Sequence, residues 1–158
     1  MFEYKREILT CELAEEFEPL ARKHFNEVRH DWGGSFDYDP NRNTFLGMEQ
    51  RNKLRFYTCR KDGELIGYAC YLLLHSIQSK TQLQGYCEMI FIKKEERGAG
   101  LEFIFWCDAQ IEKEVDIIIY AVKPFADYSR ILKHLGHELL ETSYARRTSG
   151  IQSRRTNK

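Results

Sequence analysis

Apolar and polar positions change rhythm several times along the chain, and each change predicts an element. The opening "FEYKREIL" suits an exposed first strand. In "TCELAEEFEPLARKHFNEVR", Leu13, Phe17, Leu20 and Val28 fall at helical spacing, with Thr10 placed to cap the helix. Pro19 is expected to kink that helix or to start its second half. "HDWGGSFDYDPNRN", dense in Gly, Asp and Asn, reads as loop, and a short helix is predicted over Thr44 to Asn52. From Leu54 the period changes. "LRFYTCR", the turn "KDGE" and "LIGYACYLLLH" predict a hairpin, with a third strand over about Gln82 to Ile92.

The second half sets the topology. Residues 99–113 suit a helix, and "DIIIYAV" (Asp116–Val122) is a continuous apolar run, as expected of a central strand covered on both faces. Strand, glycine turn, helix and strand make a right-handed βαβ unit. Pro124 ends the strand, "FADYSRILKHLG" predicts a helix closed by Gly136, and "HELLETSYARR" predicts one more strand. The fold class is therefore α/β: a mixed, mostly antiparallel sheet flanked by helices, with a parallel βαβ unit around residues 86–122.

"KKEERGAGLEFIFW", residues 93–106, holds the first corner of that unit. Two readings stand: a tight structural turn on Gly98 and Gly100, or a cradle of backbone N–H groups for an anion. A P-loop would need Lys-Ser or Lys-Thr after its last glycine, where Leu101-Glu102 stands. A dinucleotide fingerprint would need a third small residue, where Phe103 stands. A cradle has its own physical case. A helix N-terminus offers unpaired N–H groups and about half a positive charge, and glycine lets phosphate approach the backbone. Arg97, Lys93 and Lys94 add cations, partly offset by Glu95 and Glu96.

"IFIKKEERGAG" resembles the acyl-CoA-binding signature of the GNAT family of N-acetyltransferases, a strand end followed by Arg/Gln-x-x-Gly-x-Gly/Ala. Arg97 and Gly100 match the first and fourth positions, and Glu102 departs from the sixth. The predicted element order is also similar to the family's over nearly the whole chain. The C-terminal half resembles small acetyltransferase-like proteins of tailed phages. The resemblance implies a single acyltransferase domain over 1–148, followed by a basic tail over 149–158 that is expected to be disordered. It also implies acetyl-CoA as acyl donor, an amine of a small molecule, a protein lysine or a modified nucleotide as acceptor, and no metal.

Carried over residue by residue, the resemblance places the pantetheine arm along the backbone of Ile90, Phe91 and Ile92. The pyrophosphate would then lie at Arg97, Gly98, Ala99, Gly100 and Leu101. Glu88, on the same strand, is either the acceptor of the amine proton through a water or an exposed strand residue. The tyrosine that many members carry four residues before the last helix's glycine is Leu132 here. Tyr128, one turn earlier, and Ser129 are the remaining candidates to face the CoA thiol, and a packed tyrosine is the alternative. The acceptor site would form from the first helices and their loop. There Trp32, Phe36 and Tyr38 could wall an apolar slot, and Asp31, Asp37 and Asp39 could attract an amine. Glu102, in the helix's first turn, is expected to repel a bound pyrophosphate. A second class also stands: a protein of the same fold, weak in catalysis, that works by binding or assembly.

Composition narrows the setting. With 158 residues, 42% hydrophobic and 13% aromatic, the chain can bury a core as one domain. Its net charge of +0 argues against a general nucleic-acid footprint. The tail, with Arg146, Arg147, Arg154, Arg155 and Lys158 and no acid after Glu141, leaves room for a weak contact of that kind. The longest apolar run, Tyr68 to Leu74, is too short to span a bilayer, and "MFEYKREIL" lacks a signal-peptide core. Cys11, Cys59, Cys70, Cys87 and Cys107 form no CxxC pair and read as reduced thiols. The expectation is a cytoplasmic protein, in the host cytoplasm if phage-encoded, for which a homodimer is compatible with the sequence.

Overall fold

A computed structural model describes residues 1–28 and 37–145. In chain order the elements are β1 (Phe2–Glu7), α1 (Cys11–Val28), α2 (Arg42–Gln50), β2 (Leu54–Lys61), β3 (Glu64–Ser76) and β4 (Ser79–Ile92). A 3-10 turn over Lys94–Ala99 leads into α3 (Gly100–Ile111), followed by β5 (Ile117–Tyr120) and α4 (Ser129–His134). The sheet runs β1-β2-β3-β4-β5; the first four strands are antiparallel neighbours, and β5 lies parallel to β4. Among the described residues no helix is long and apolar enough to cross a membrane.

Local chemistry sets several boundaries. Leu13 N–H donates to Thr10 Oγ1 at 3.2 Å, so α1 starts where its cap dictates, and it continues through Pro19 as one helix. Asn41 caps α2 by accepting from Thr44 N–H at 3.2 Å, which starts that helix before Thr44. Asp62 (φ 51°) and Gly63 (φ 87°) both sit in the left-handed region, as a two-residue hairpin turn between β2 and β3 requires. Gly136 (φ 90°) closes α4, with His137 N–H donating back to Leu132 O at 3.0 Å.

The sheet buries both faces. α3 covers one through Phe103, Cys107 and Ile111, against Tyr57, Ile66, Tyr71 and Cys87. α1 and α2 cover the other, with Leu13, Leu20 and Ala21 over Phe56, Leu65, Tyr68 and Phe91. Four of the five cysteines are buried in these layers, and the thiols are free.

Two expectations need correcting. The run Asp116–Val122 is not a central strand. β5 is the outermost strand among the described residues, and its four residues are only half-buried. The strands buried on both faces are β2 and β3, which have neighbours on either side. The segment 137–145 forms no strand. Leu139, Leu140 and Tyr144 are exposed there, and no ladder forms beside them. The proposed tail 149–158 lies outside the described residues.

One buried charge locks the α3–β5 connection to the sheet. Arg55, 4% exposed on β2, donates through Nε to both carboxylate oxygens of Glu114 at 2.9 Å, and through Nη1 to Leu54 O at 2.9 Å. Arg55 in turn holds the Glu114 carboxyl below the usual carboxylate range. Glu114→Ala leaves the guanidinium buried without its partner and should cost about 2–4 kcal/mol, read by urea denaturation at neutral pH. The native pair's contribution is complete above the unfolded carboxylate pKa and is lost as pH falls through the lowered folded value. The gap between wild type and variant should therefore close in acid; an equal gap at all pH values would refute the assignment.

Candidate active site

The site begins with an irregularity in β4. Cys70 pairs with Met89 and Tyr71 with Cys87, so Glu88 is the extra residue of a bulge. Cys87 to Ile92 all line one cavity, and Glu88 is exposed there. The ladder to β5 ends at Cys87 opposite Tyr120, so beyond it β4 has no strand on that side among the described residues. A network holds the end of β5 in place. The Tyr120 hydroxyl donates to Asp108 Oδ1 at 2.8 Å and accepts from Tyr71, while His137 Nε2 meets Asp108 Oδ2 at 2.7 Å. Burial pushes the Tyr120 phenol well above its ordinary range.

The glycine corner comes next. Gly100 has φ −62° and ψ −42°, an ordinary helical conformation, and a Cβ built on Gly98 or Gly100 would meet nothing within 4 Å. The described glycines with positive φ are Gly63 and Gly136. Neither backbone conformation nor packing therefore demands glycine at this corner, and the turn reading loses its physical reason. What the glycines leave is open space at the start of α3, whose N-cap residue Ala99 provides no side-chain cap. Arg97 is ion-paired with Glu27 of α1, and Lys94 lines the same cavity.

The cavity has a volume of about 950 Å³ and brings together Glu88, Ile90, Phe91, Ile92, Arg97, Gly100, Tyr128 and Tyr38. Gly98, Ala99, Leu101 and Ser129 are not among its walls. Ala99 is buried against the core, and Ser129 spends its N–H on Asp127 Oδ1 at 2.8 Å. Leu101 and Glu102 instead line a groove beside α4. There Glu102 accepts from the Tyr4 hydroxyl at 3.1 Å, so the repulsion expected between Glu102 and a bound anion loses its geometry. Trp32 and Phe36 lie outside the described residues. Leu132 is buried, whereas Tyr128 is half-buried at the cavity wall, with its phenol raised by that burial.

His24 was not expected to line the cavity. Its Nδ1 is 2.8 Å from the Tyr68 hydroxyl, and its ring stacks on Phe91 at 4.9 Å and 19°. Among the described residues Nδ1 of His24 is the hydrogen-bond partner of the Tyr68 hydroxyl. His24 lies four residues after Leu20 on the apolar stripe of α1, the sequence signal that would have found it. Among the described residues no three His, Cys, Asp or Glu side chains gather as a metal site.

The sequence model of the acetyltransferase (GNAT) family matches residues 11–101. No curated protein matches the chain in sequence. Solved structures match it in fold. A ribosomal-protein-alanine N-acetyltransferase from Brucella melitensis biovar Abortus 2308 is 17% identical, with 94% of this chain and 100% of that one covered and a TM-score of 0.68. A predicted acetyltransferase from Clostridium acetobutylicum, solved with acetyl-CoA, is 14% identical over 93% and 96% of the two chains, with a TM-score of 0.67. An aminoglycoside acetyltransferase from an uncultured soil metagenomic sample is 13% identical over 94% and 99%, with a TM-score of 0.68.

The buried imidazole makes a titration prediction. Burial first, then the charge of Lys123, push His24 down to about 4. As pH falls below the unfolded histidine value, the unfolded chain takes up a proton that the folded chain refuses, so stability is lost. Between about pH 7.5 and 5 the wild type should lose about 1–2 kcal/mol more than His24→Asn, measured by urea denaturation. Equal losses would show that His24 titrates normally.

Proposed function

The chain belongs to the acetyltransferase (GNAT) family, and from that premise we propose that it transfers the acetyl group of acetyl-CoA to an amine. The observation that carries this reading is a single cavity joining three things: the edge of β4 freed from β5, the open start of α3 at Gly100, and the bulged Glu88. In this reading the pantetheine arm adds to the free edge over residues 88–92 as a strand would. The pyrophosphate takes the α3 N-terminus, and it competes with Glu27 for the Arg97 guanidinium.

Glu88 accepts the ammonium proton through a water, and the neutral amine attacks the thioester carbonyl carbon. An N–H of the free β4 edge donates to the developing oxyanion. The C–S bond then breaks, the new amide loses its second proton, and CoA leaves as thiolate. Tyr128 donates a hydrogen bond to that sulfur. Its phenol is raised above the ordinary tyrosine value, whereas a thiol sits near 8.5, so full proton transfer from Tyr128 is uphill. The proton that finally settles on the thiol comes from the amine or solvent. The second reading, a protein of this fold that binds without efficient turnover, is favoured by buried Leu132, where the family commonly carries a tyrosine.

Two measurements test the reading. Gly100→Val places a branched side chain in the open space at α3 and should abolish calorimetric acetyl-CoA binding while thermal unfolding stays cooperative. Wild-type protein silent toward millimolar acetyl-CoA would end the proposal. Glu88→Gln should lower kcat by about 100-fold and leave KM for acetyl-CoA within about twofold. Undiminished turnover in that variant would remove Glu88 from the chemistry and leave positioning as its source.

A further inference from the structure

Under the reading above, the acyl donor occupies the β4 edge and the α3 corner. The rest of the cavity is walled on one side by the β5–α4 connection, where Lys123 and Asp127 stand and Asp127 accepts from Ser129 N–H, and on the other by a sector of α1, α2, Tyr38 and Tyr68. This sector is aromatic. Phe25 meets Tyr38 edge-on at 5.6 Å, Phe17 lies 5.4 Å from Tyr68, and Phe45 completes the wall from α2. Its described charged side chains are already committed, Glu27 to Arg97 and Arg42 to Glu18. A further cation, Arg22, sits 4.6 Å above the Tyr38 ring and occupies that face. The carboxylate left without a described partner is Glu88, at the β4 end of the sector.

That distribution selects a ligand class. Each ammonium brought into an apolar cavity needs its own carboxylate or loses its hydration without return. One carboxylate serves one ammonium, and aromatic walls reward an apolar body. We propose that the acceptor is a primary monoamine carried on an aromatic or other apolar group, with its ring among Phe17, Phe25, Tyr38 and Phe45 and its nitrogen at Glu88. Polycationic aminosugars would leave ammonium groups unpaired against these aromatic walls, in a cavity that Lys94 and Lys123 also line. The neutral state of His24 against this sector is consistent with a site that resists additional positive charge.

The inference rests on the acetyltransferase reading, and the test separates the two. Calorimetric titration with acetyl-CoA decides that reading first. CoA release is then followed with 2-phenylethylamine, tryptamine and kanamycin. Both arylalkylamines should exceed kanamycin in kcat/KM by about 100-fold or more, as expected when several ammonium groups go unpaired. Phe25→Ala and Phe45→Ala should each lower kcat/KM for 2-phenylethylamine by about tenfold, the loss of one aromatic contact, with acetyl-CoA affinity held within about twofold. Thermal melts confirm that both variants fold.

Kanamycin turned over as well as the arylalkylamines would overturn the proposal, as would two aromatic variants indistinguishable from wild type. If acetyl-CoA binds but no amine is acetylated, titration of 2-phenylethylamine into the CoA-loaded protein decides. Binding that Phe25→Ala weakens supports the inference, and no binding, or tighter binding of kanamycin, refutes it.

Discussion

β4 has a strand partner on both sides for only part of its length, and the rest of the site depends on that limit. β3 follows it from Ser79 to Ile92, whereas the β5 ladder reaches only Cys87. Where the parallel ladder stops, backbone N–H and C=O groups on one side of residues 88–92 lose their partners. Such groups must then find water or a ligand. Two features fix the stopping point. The bulge at Glu88 breaks the regular alternation of β4, and Tyr120 is tied through its hydroxyl to Asp108 of α3 and to Tyr71 of β3. Donation runs in one direction through this network, from Tyr71 to Tyr120 to Asp108, with His137 meeting the second carboxylate oxygen. A chain of this kind, running from buried Tyr71 to half-buried Tyr120, Asp108 and His137, holds its members in one arrangement.

The helices do more than cover the sheet. α3 buries Phe103, Cys107 and Ile111 while its N-terminus, which follows the 3-10 turn with Gly100 N–H donating to Arg97 O and has no side-chain cap, opens on the cavity, so its packing aims the helix dipole. On the opposite face α1 packs through Leu13, Leu20 and Ala21, and its next inward position is His24. The same apolar stripe that stabilises the fold therefore delivers a neutral imidazole and a row of aromatic rings to the cavity.

Charge is managed by pairing. Arg55 is buried and answered by Glu114. Arg60 on β2 reaches both Glu7 at 2.9 Å and Glu16 at 2.6 Å, linking β1 and α1 to the central strands. Arg97 and Glu27 neutralise each other across the cavity mouth. This leaves a cavity wall where Glu88, Lys94 and Lys123 are charges without a described ion pair, so a ligand meets a small number of defined electrostatic contacts.

The sequence by itself determined the element order as far as α4, because periodicity and turn chemistry are local. Thr10 capped a helix, Asp62-Gly63 closed a hairpin, and the glycines after Ile92 marked the corner of a βαβ unit. It also picked out residues far apart in the chain that share one cavity, Glu88, Arg97, Gly100 and Tyr128. Tertiary structure decided which apolar runs are central. "DIIIYAV" and "LIGYACY" look alike as strings, yet among the described residues only the second has strands on both sides. It decided that 137–145 does not pair, because a strand-like pattern without a neighbouring ladder gains no hydrogen bonds. It turned Glu102 toward Tyr4, a partner 98 positions away in the chain. The reason is common to all three: pairing, burial and ion partnership belong to residues distant in sequence, and no local pattern encodes who the partner will be.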